Sequence, residues 1–152
     1  VYWDCGKGVT HQMWTREPGE ILLDAGWFDE GNSAVIVSDA ACPHPARQVS
    51  KGLGLISHMI HSPDGKWIAT DSYPQEDGFQ YLGLIETATG VCTQVGRFRH
   101  RCAPNRDEEL RCDLHPRWSR DGQFLTVDTI HEDKRNIFML DTAPVFDAIA
   151  KK

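Results

Sequence analysis

The strongest constraint on the fold is a segment that occurs three times within the 152 residues. Its copies are HQMWTREPGEILLD at 11–24, HMIHSPDGKWIATD at 58–71 and HPRWSRDGQFLTVD at 115–128. In every copy a His lies 13 residues before an Asp, and successive copies start 47 and 57 residues apart. A repeat of this period is typical of folds that place one small structural unit several times around an axis or along a line.

Each copy has the pattern of a β-hairpin. Asp64-Gly65 and Asp121-Gly122 form the turn signal in the last two copies, and Pro18-Gly19 stands at that point in the first. Segments rich in β-branched and aromatic residues follow each copy, at 34–38, at 80–85 with 91–95, and at 136–140. The repeating unit is therefore predicted to be a four-stranded antiparallel sheet.

The predicted fold class is all-β, a β-propeller with about three four-stranded antiparallel blades. The blades are expected at approximately 9–54, 55–100 and 112–152, with a loop insertion at 99–113 and a short helix at 145–150. A four-stranded blade takes about 40–50 residues, which agrees with the repeat. Because three blades do not close a ring, we expect the chain to be the C-terminal part of a seven-bladed propeller, within the known range of about four to eight blades.

Composition excludes several classes of function. The net charge is -6, so a basic surface for nucleic acid is not expected. No apolar stretch approaches the roughly 20 residues of a membrane helix, so we expect no membrane insertion. Five cysteines, an odd and scattered set, do not form a disulfide scaffold. We favour a periplasmic or secreted location over a cytoplasmic one.

The third copy carries a first family resemblance. Its segment Leu114–Gly122, with Asp128 and the strand 136–140, resembles the TolB-type, WD40-like propeller repeat. This resemblance implies the propeller fold for all three units and leaves the function open, because many unrelated activities use this fold.

The histidines carry a narrower resemblance, to the oligogalacturonate lyases and the related ulvan lyases. In those polysaccharide lyases, histidines stand where successive blades enter their inner strands, and oligogalacturonate lyases bind a divalent metal there. The resemblance implies that His11 is a catalytic base and that His58 and His115 are metal ligands. The family pattern Gln-x-x-His-x-His departs here, since Cys112 replaces the Gln and Arg117 the last His.

What the resemblance implies chemically is β-elimination of a uronate-containing glycan by a carbon–oxygen lyase. The reaction needs a base for the C5 proton, which His11 or His58 would supply, and a group that neutralises the uronate carboxylate. Arg117 lies two residues after His115 and is expected on the same side of an extended strand. We therefore predict that Arg117 is a catalytic and substrate-binding fork for the carboxylate.

Further candidates for substrate binding come from single positions. Tyr73 or Tyr81 is the expected acid for the leaving oxygen. His61 stands where the other two copies have Trp14 and Trp118, which makes it a substrate-binding candidate; the alternative is a buried, hydrogen-bonded core histidine.

The insertion before the third copy contains His100, Cys102 and Cys112, which with His115 supply the ligand types of a zinc site. A Cys102–Cys112 disulfide and two free thiols are the alternatives. The predicted cofactor is a divalent metal, Mn or Zn. Several arginines of this segment, Arg111 among them, either line a groove for an acidic glycan or form mixed ion pairs in a solvated loop.

These observations predict a polysaccharide-lyase-like propeller whose partner is an acidic polysaccharide or oligosaccharide. The competing prediction is a non-catalytic, TolB-like propeller that binds a protein or peptide. The histidines separate the two, because convergence of His11, His58 and His115 in one cleft favours the lyase, whereas separate hydrogen-bonded turns favour a purely structural repeat.

Overall fold

The computed structural model describes residues 9–25, 33–38, 47–50, 57–100 and 111–151. Within these ranges the chain forms three antiparallel β-sheets and one short helix. The all-β fold class is thereby confirmed. No helix in these ranges has the length and apolar character needed to cross a membrane.

The first two sheets have four strands each, hydrogen-bonded in chain order. Sheet 1, which we call blade 1, consists of β1 (Val9–Trp14), β2 (Glu20–Ala25), β3 (Ser33–Ser38) and β4 (Arg47–Gln48). Blade 2 consists of β5 (Met59–His61), β6 (Trp67–Asp71), β7 (Phe79–Glu86) and β8 (Cys92–Arg99). Consecutive pairing of neighbouring strands is the meander expected of a propeller blade.

Blade 3 differs at its outer edge. It has three strands, β9 (Arg117–Trp118), β10 (Phe124–Thr129) and β11 (Asn136–Asp141), and then the helix α1 (Ala143–Ala150). Pro144 occupies the first turn of α1, where a missing N–H costs nothing. The helix packs Val145, Phe146 and Ile149 against the apolar cluster between blades 2 and 3, so the chain covers that cluster with a helix after the third strand.

The predicted hairpin turns are present in all three copies. Gly19, Gly65 and Gly122 have φ values of 79°, 75° and 75°, a left-handed conformation that glycine adopts without a steric penalty. In two of these turns a serine hydroxyl donates to an aspartate two residues later at 2.6 Å, Ser62 to Asp64 and Ser119 to Asp121. The repeat in sequence is thus also a repeat of local structure.

The core lies between the sheets, because side chains alternate along each strand. On β6, Ile68 faces blade 1 and Ala69 faces blade 3. The cluster between blades 1 and 2 contains Leu22, Ala34, Ile36, Val49, Met59, Ile68 and Ile85. The cluster between blades 2 and 3 contains Ala69, Leu82, Leu84, Leu114, Leu125 and Val127. Each fully buried Leu or Ile stabilises the packing by about 1.5–3 kcal/mol, so both faces of blade 2 are held.

The first strands of the three sheets are neighbours, since β5 contacts β1 on one side and β9 on the other. These strands are the inner strands of a radial array. Any residue that occupies the same position at the start of each inner strand is therefore brought close to its two equivalents.

Candidate functional site

His11, His58 and His115, which we call the histidine cluster, meet at the start of the inner strands. The ring centroids of His11 and His58 are 4.7 Å apart, and those of His58 and His115 are 3.9 Å apart. The ring of Tyr73, which follows β6, lies 6.0 Å from His11 and 6.1 Å from His58. Residues far apart in the sequence therefore form one site across three blades.

Local backbone geometry at two of the histidines is unusual. His11 and His115 have φ values of 53° and 43°, in the left-handed region that few non-glycine residues occupy and that histidine tolerates better than most. At His11 the pairing of β1 with β2 also shifts register between Thr10 and Met13. Such conformations persist only where surrounding contacts hold them, and they are frequent in functional sites.

Asp71, the closing residue of the second copy, holds blades 2 and 3 together at the cluster. Its Oδ1 accepts the backbone N–H of His58 at 2.8 Å, and its Oδ2 accepts the backbone N–H of His115 at 2.9 Å. The Nδ1 atom of His58 lies 3.1 Å from both oxygens. Because Nδ1 of the neutral ring donates to this carboxylate, Nε2 keeps a free lone pair.

His11 joins an aspartate to a tyrosine. Its Nε2 is 3.0 Å from the Tyr73 hydroxyl, and its Nδ1 is 2.8 Å from the Thr10 hydroxyl and 3.5 Å from Oδ2 of Asp24. The same Oδ2 accepts the hydroxyl of Thr10 at 3.0 Å. Burial raises the pKa of Asp24, and its Oδ1 is buried without a hydrogen-bond partner. His11 is thus positioned to exchange a proton with Tyr73.

A possible metal-binding set lies on the other side of the cluster. His58, Asp113 and His115 each offer a ligand atom, and these atoms lie within 4.8 Å of one another. Two imidazoles and a carboxylate are ligand types that suit Zn or Mn. Asp113 was not among the predicted site residues. Its position between Cys112 and His115, which stand at two positions of the family motif, could have indicated it.

Arg111 completes the site. Its Nε and Nη2 atoms donate to the two oxygens of Asp113, both at 2.8 Å, which raises the pKa of the guanidinium group. The central carbon of that group lies 4.3 Å from the centre of the Tyr73 ring. From the sequence, Arg111 was one of several loop arginines and had no individual predicted role.

Comparison with known proteins supports the architecture. No protein-family model and no curated protein matches the sequence. Solved structures do. TolB from Acinetobacter baumannii has a TM-score of 0.67 at 13% identity over 90% of this chain and 30% of its own. The oligogalacturonate lyase from Vibrio parahaemolyticus has a TM-score of 0.65 at 14% identity over 93% and 37%.

An oligogalacturonate lyase in complex with manganese has a TM-score of 0.64 at 18% identity, over 90% of this chain and 35% of its own. The chain has a TolB-like β-propeller fold. It spans 30% of the TolB chain and 37% of the Vibrio lyase chain. At these identities the likeness establishes the propeller fold and leaves the activity open.

The extended strand predicted to run through His115 and Arg117 is not formed, because His115 has a φ of 43° and β9 begins only at Arg117. The Arg117 guanidinium donates to the backbone oxygen of Pro116 at 2.8 Å. Within the described ranges, no hydrogen bond, ion pair or ring contact joins Arg117 to the histidine cluster. Its catalytic role stays a prediction.

His61 lies apart from the cluster. It is three residues beyond His58 along β5, about 10 Å in an extended strand, and it faces a cavity of about 470 Å³ between blades 1 and 2. Both ring nitrogens are buried without a hydrogen-bond partner. Burial, and to a smaller extent the charge of Arg47, lowers the pKa of His61. Tyr81 instead donates to Asp77, which leaves Tyr73 as the tyrosine of the site.

Of the predicted zinc ligands, His100 and Cys112 contact each other, whereas His115 belongs to the metal-binding set. The backbone N–H of Cys112 donates to Nε2 of His100 at 3.3 Å, and both residues are buried. Cys112 is a free thiol whose pKa is raised by burial. Among the described residues neither joins the metal-binding set that contains His115, and Cys102 lies outside the described residues.

Proposed function

We propose that the histidine cluster binds a uronate-containing glycan and cleaves it by β-elimination, as a carbon–oxygen lyase. The observation that carries this proposal is the convergence of a His–Tyr pair, His11 and Tyr73, with a metal-binding set and the arginine fork of Arg111. Each group corresponds to one chemical need of the reaction. Two structural neighbours with the same fold are oligogalacturonate lyases, which supports an acidic sugar as substrate.

His11 is the proposed base and Tyr73 the proposed acid. Nε2 of His11 takes the proton from C5 of the uronate, the electron pair forms the C4–C5 double bond, and the C4–O bond breaks. Tyr73 gives its proton to the leaving oxygen. Because the hydroxyl lies 3.0 Å from Nε2, the proton on His11 can then return to Tyr73, and both residues regain their starting state.

The residues of the second half of the site fit a divalent cation. His58, Asp113 and His115 would hold it, and Asp71 behind His58 is the carboxylate that metal-bound histidines commonly use for orientation. The chemistry that such a cation supplies is neutralisation of the uronate carboxylate, which makes the C5 proton more acidic. A manganese complex among the structural neighbours supports Mn as the first cation to test.

The test is the ultraviolet absorbance of unsaturated uronate ends. We expect the full chain to raise this absorbance with polygalacturonate or ulvan fragments in the presence of Mn²⁺, and the variants His11→Ala and Tyr73→Phe to lower the rate by about 100-fold or more. Lys66→Ala, a change at an exposed residue of the β5–β6 turn, is the control. No signal with any acidic glycan, with or without cation, contradicts the lyase proposal.

The alternative is a propeller without catalysis that binds a protein or peptide, as the TolB neighbour suggests. Large apolar side chains are exposed on the outward faces of the first and last blades: Trp14, Ile137 and Met139, which are 72%, 73% and 67% exposed. A protein partner or a neighbouring blade can cover them. If the full chain binds neither Mn²⁺ nor acidic sugars, this alternative gains and the lyase proposal fails.

A further inference from the structure

The guanidinium group of Arg111 has the geometry by which arginine binds a carboxylate, and an internal carboxylate occupies it. Nε and Nη2 donate side by side to the two oxygens of Asp113, both at 2.8 Å. This two-point arrangement is the strong and directional form of arginine–carboxylate recognition. An external carboxylate would meet the same two donors.

The fork lies beside the reacting groups. The central carbon of the guanidinium group is 4.3 Å from the centre of the Tyr73 ring, and the hydroxyl of that ring contacts His11 at 3.0 Å. The side chain of Arg111 is 38% exposed, whereas that of Asp113 is 13% exposed. Because the Arg111 side chain is partly exposed, an acidic ligand can reach the fork from solvent. Arg135 donates to the backbone oxygen of Arg111 at 3.1 Å, which fixes the backbone from which the fork extends.

The Asp113 carboxylate has other polar groups within reach besides Arg111. One of its oxygens lies within 4.8 Å of ring nitrogens of His58 and His115. Displacement from Arg111 therefore does not leave the Asp113 carboxylate without a polar partner, because an N–H of the His115 ring can donate to it, or a cation between the two imidazoles can bind it. The exchange of one carboxylate for another at the fork conserves the charge pairing.

We infer that Arg111 is the residue that binds the carboxylate of the acidic ligand, and that Asp113 is an internal substitute which the ligand displaces. The inference rests on the proposed function for the identity of that ligand, a uronate. Arg111 is thus a second candidate for the fork beside the predicted Arg117, whose guanidinium donates to the backbone oxygen of Pro116. Asp113 thereby competes with every carboxylate that enters the site.

This competition predicts that the loss of one site residue strengthens galacturonate binding. Asp113→Asn removes the internal carboxylate and frees the fork, so galacturonate binds more tightly although the site has lost a ligand-type residue. Arg111→Gln removes the charged donors of the two hydrogen bonds, so galacturonate affinity falls about tenfold or more. Arg111→Lys keeps the charge without the fork and has an intermediate effect.

The experiment is calorimetric titration of the full chain with galacturonate and trigalacturonate, in chelator, so that no cation contributes. Arg120→Gln, at an exposed arginine of the β9–β10 turn, is the matched control and leaves the affinity unchanged. Asp77→Asn is the control for overall charge, because it removes the same charge from a carboxylate that Tyr81 and Arg97 hold on the surface. Galactose lacks the carboxylate, so its affinity is expected to be the same for every variant and for the unaltered protein. Equal melting temperatures show that the variants fold.

The outcomes separate this inference from the lyase proposal. Tighter binding by Asp113→Asn together with weaker binding by Arg111→Gln supports the inference, even if no glycan is ever cleaved. Unchanged binding in Arg111→Gln and Arg111→Lys, or equal gains in Asp113→Asn and Asp77→Asn, overturns it. A lyase that stays fully active without Arg111 overturns the inference and leaves the lyase proposal intact. Absence of galacturonate binding by the unaltered chain overturns both.

Discussion

The two interfaces between blades are built from equivalent residues but differ in how well they are filled. Between blades 2 and 3, the Trp118 indole donates to the backbone oxygen of Ile60 at 3.2 Å and stacks on Phe146 at 6.4 Å between ring centroids. Between blades 1 and 2, the same repeat position is His61, which faces a cavity of about 470 Å³ with both ring nitrogens unpartnered. The repeat position that packs an indole in blade 3 thus faces an open pocket in blade 2, beside the apolar cluster that holds blades 1 and 2 together.

The closing aspartates show the same contrast. Asp71 uses both oxygens to accept backbone N–H groups from two blades, whereas Asp24 leaves one buried oxygen without a partner. Within the described ranges, the buried side-chain atoms without hydrogen bonds all belong to Asp24 and His61. Next to the proposed base His11, the Asp24 carboxylate therefore has one oxygen without a hydrogen bond. Next to the metal-binding set, both oxygens of Asp71 accept hydrogen bonds.

The largest expected effect is at the packed interface. Trp118→Ala removes an indole from the cluster around Phe146 together with the bond to Ile60, and we expect the free energy of unfolding to fall by about 3–5 kcal/mol. Urea unfolding measures this change. The matched control is Trp14→Ala at the equivalent position, where the side chain is 72% exposed and the change stays within about 0.5 kcal/mol. Equal losses in the two variants contradict the comparison.

A smaller difference is expected between the closing aspartates. Asp71→Asn replaces a carboxylate that accepts two part-buried backbone N–H groups, so these donors lose a charged acceptor and the free energy of unfolding falls by about 2 kcal/mol. Asp24→Asn costs less, because burial already disfavours the ionised form of Asp24 and raises its pKa. Thermal melts at neutral pH compare the two variants, and a greater loss in Asp24→Asn would refute the asymmetry.

The smallest expected effect is the pH dependence of stability that His61 causes. The pKa of His61 is lowered from 6.5 in the folded chain, so below pH 6.5 the unfolded chain takes up a proton that folded His61 does not. The contribution of His61 to stability is therefore complete above pH 6.5 and is lost as the pH falls toward the lowered pKa. We expect His61→Leu to flatten the decline in stability between pH 7 and pH 5. If stability falls with the same slope in this variant, groups other than His61 cause the decline.

Periodicity made much of the fold predictable. The hairpins, the glycine turns and the convergence of His11, His58 and His115 all follow from equivalent positions in equivalent sheets. The short helix was also indicated by the apolar pattern of the tail. Blade 3 has three strands before that helix, a local substitution that the repeat does not encode.

Contacts made outside the repeat could not be predicted in this way. The left-handed conformation of His115 interrupts the alternation on which the placement of Arg117 depended. The pairing of Arg111 with Asp113 is a contact within a non-repeating segment, and no period indicates it. For His61, the sequence marked the exchange of Trp for His but not the cavity beside it, since a cavity depends on what both neighbouring sheets leave unfilled.

Each imidazole of the cluster is carried by a different sheet, and this has a consequence for folding. A chain in which only two sheets have docked can present two of the three rings, so the complete site exists only after the last sheet has joined. Uptake of a cation or an acidic sugar would then report the moment of full assembly, and such a ligand would act as a brace across both interfaces that slows their separation.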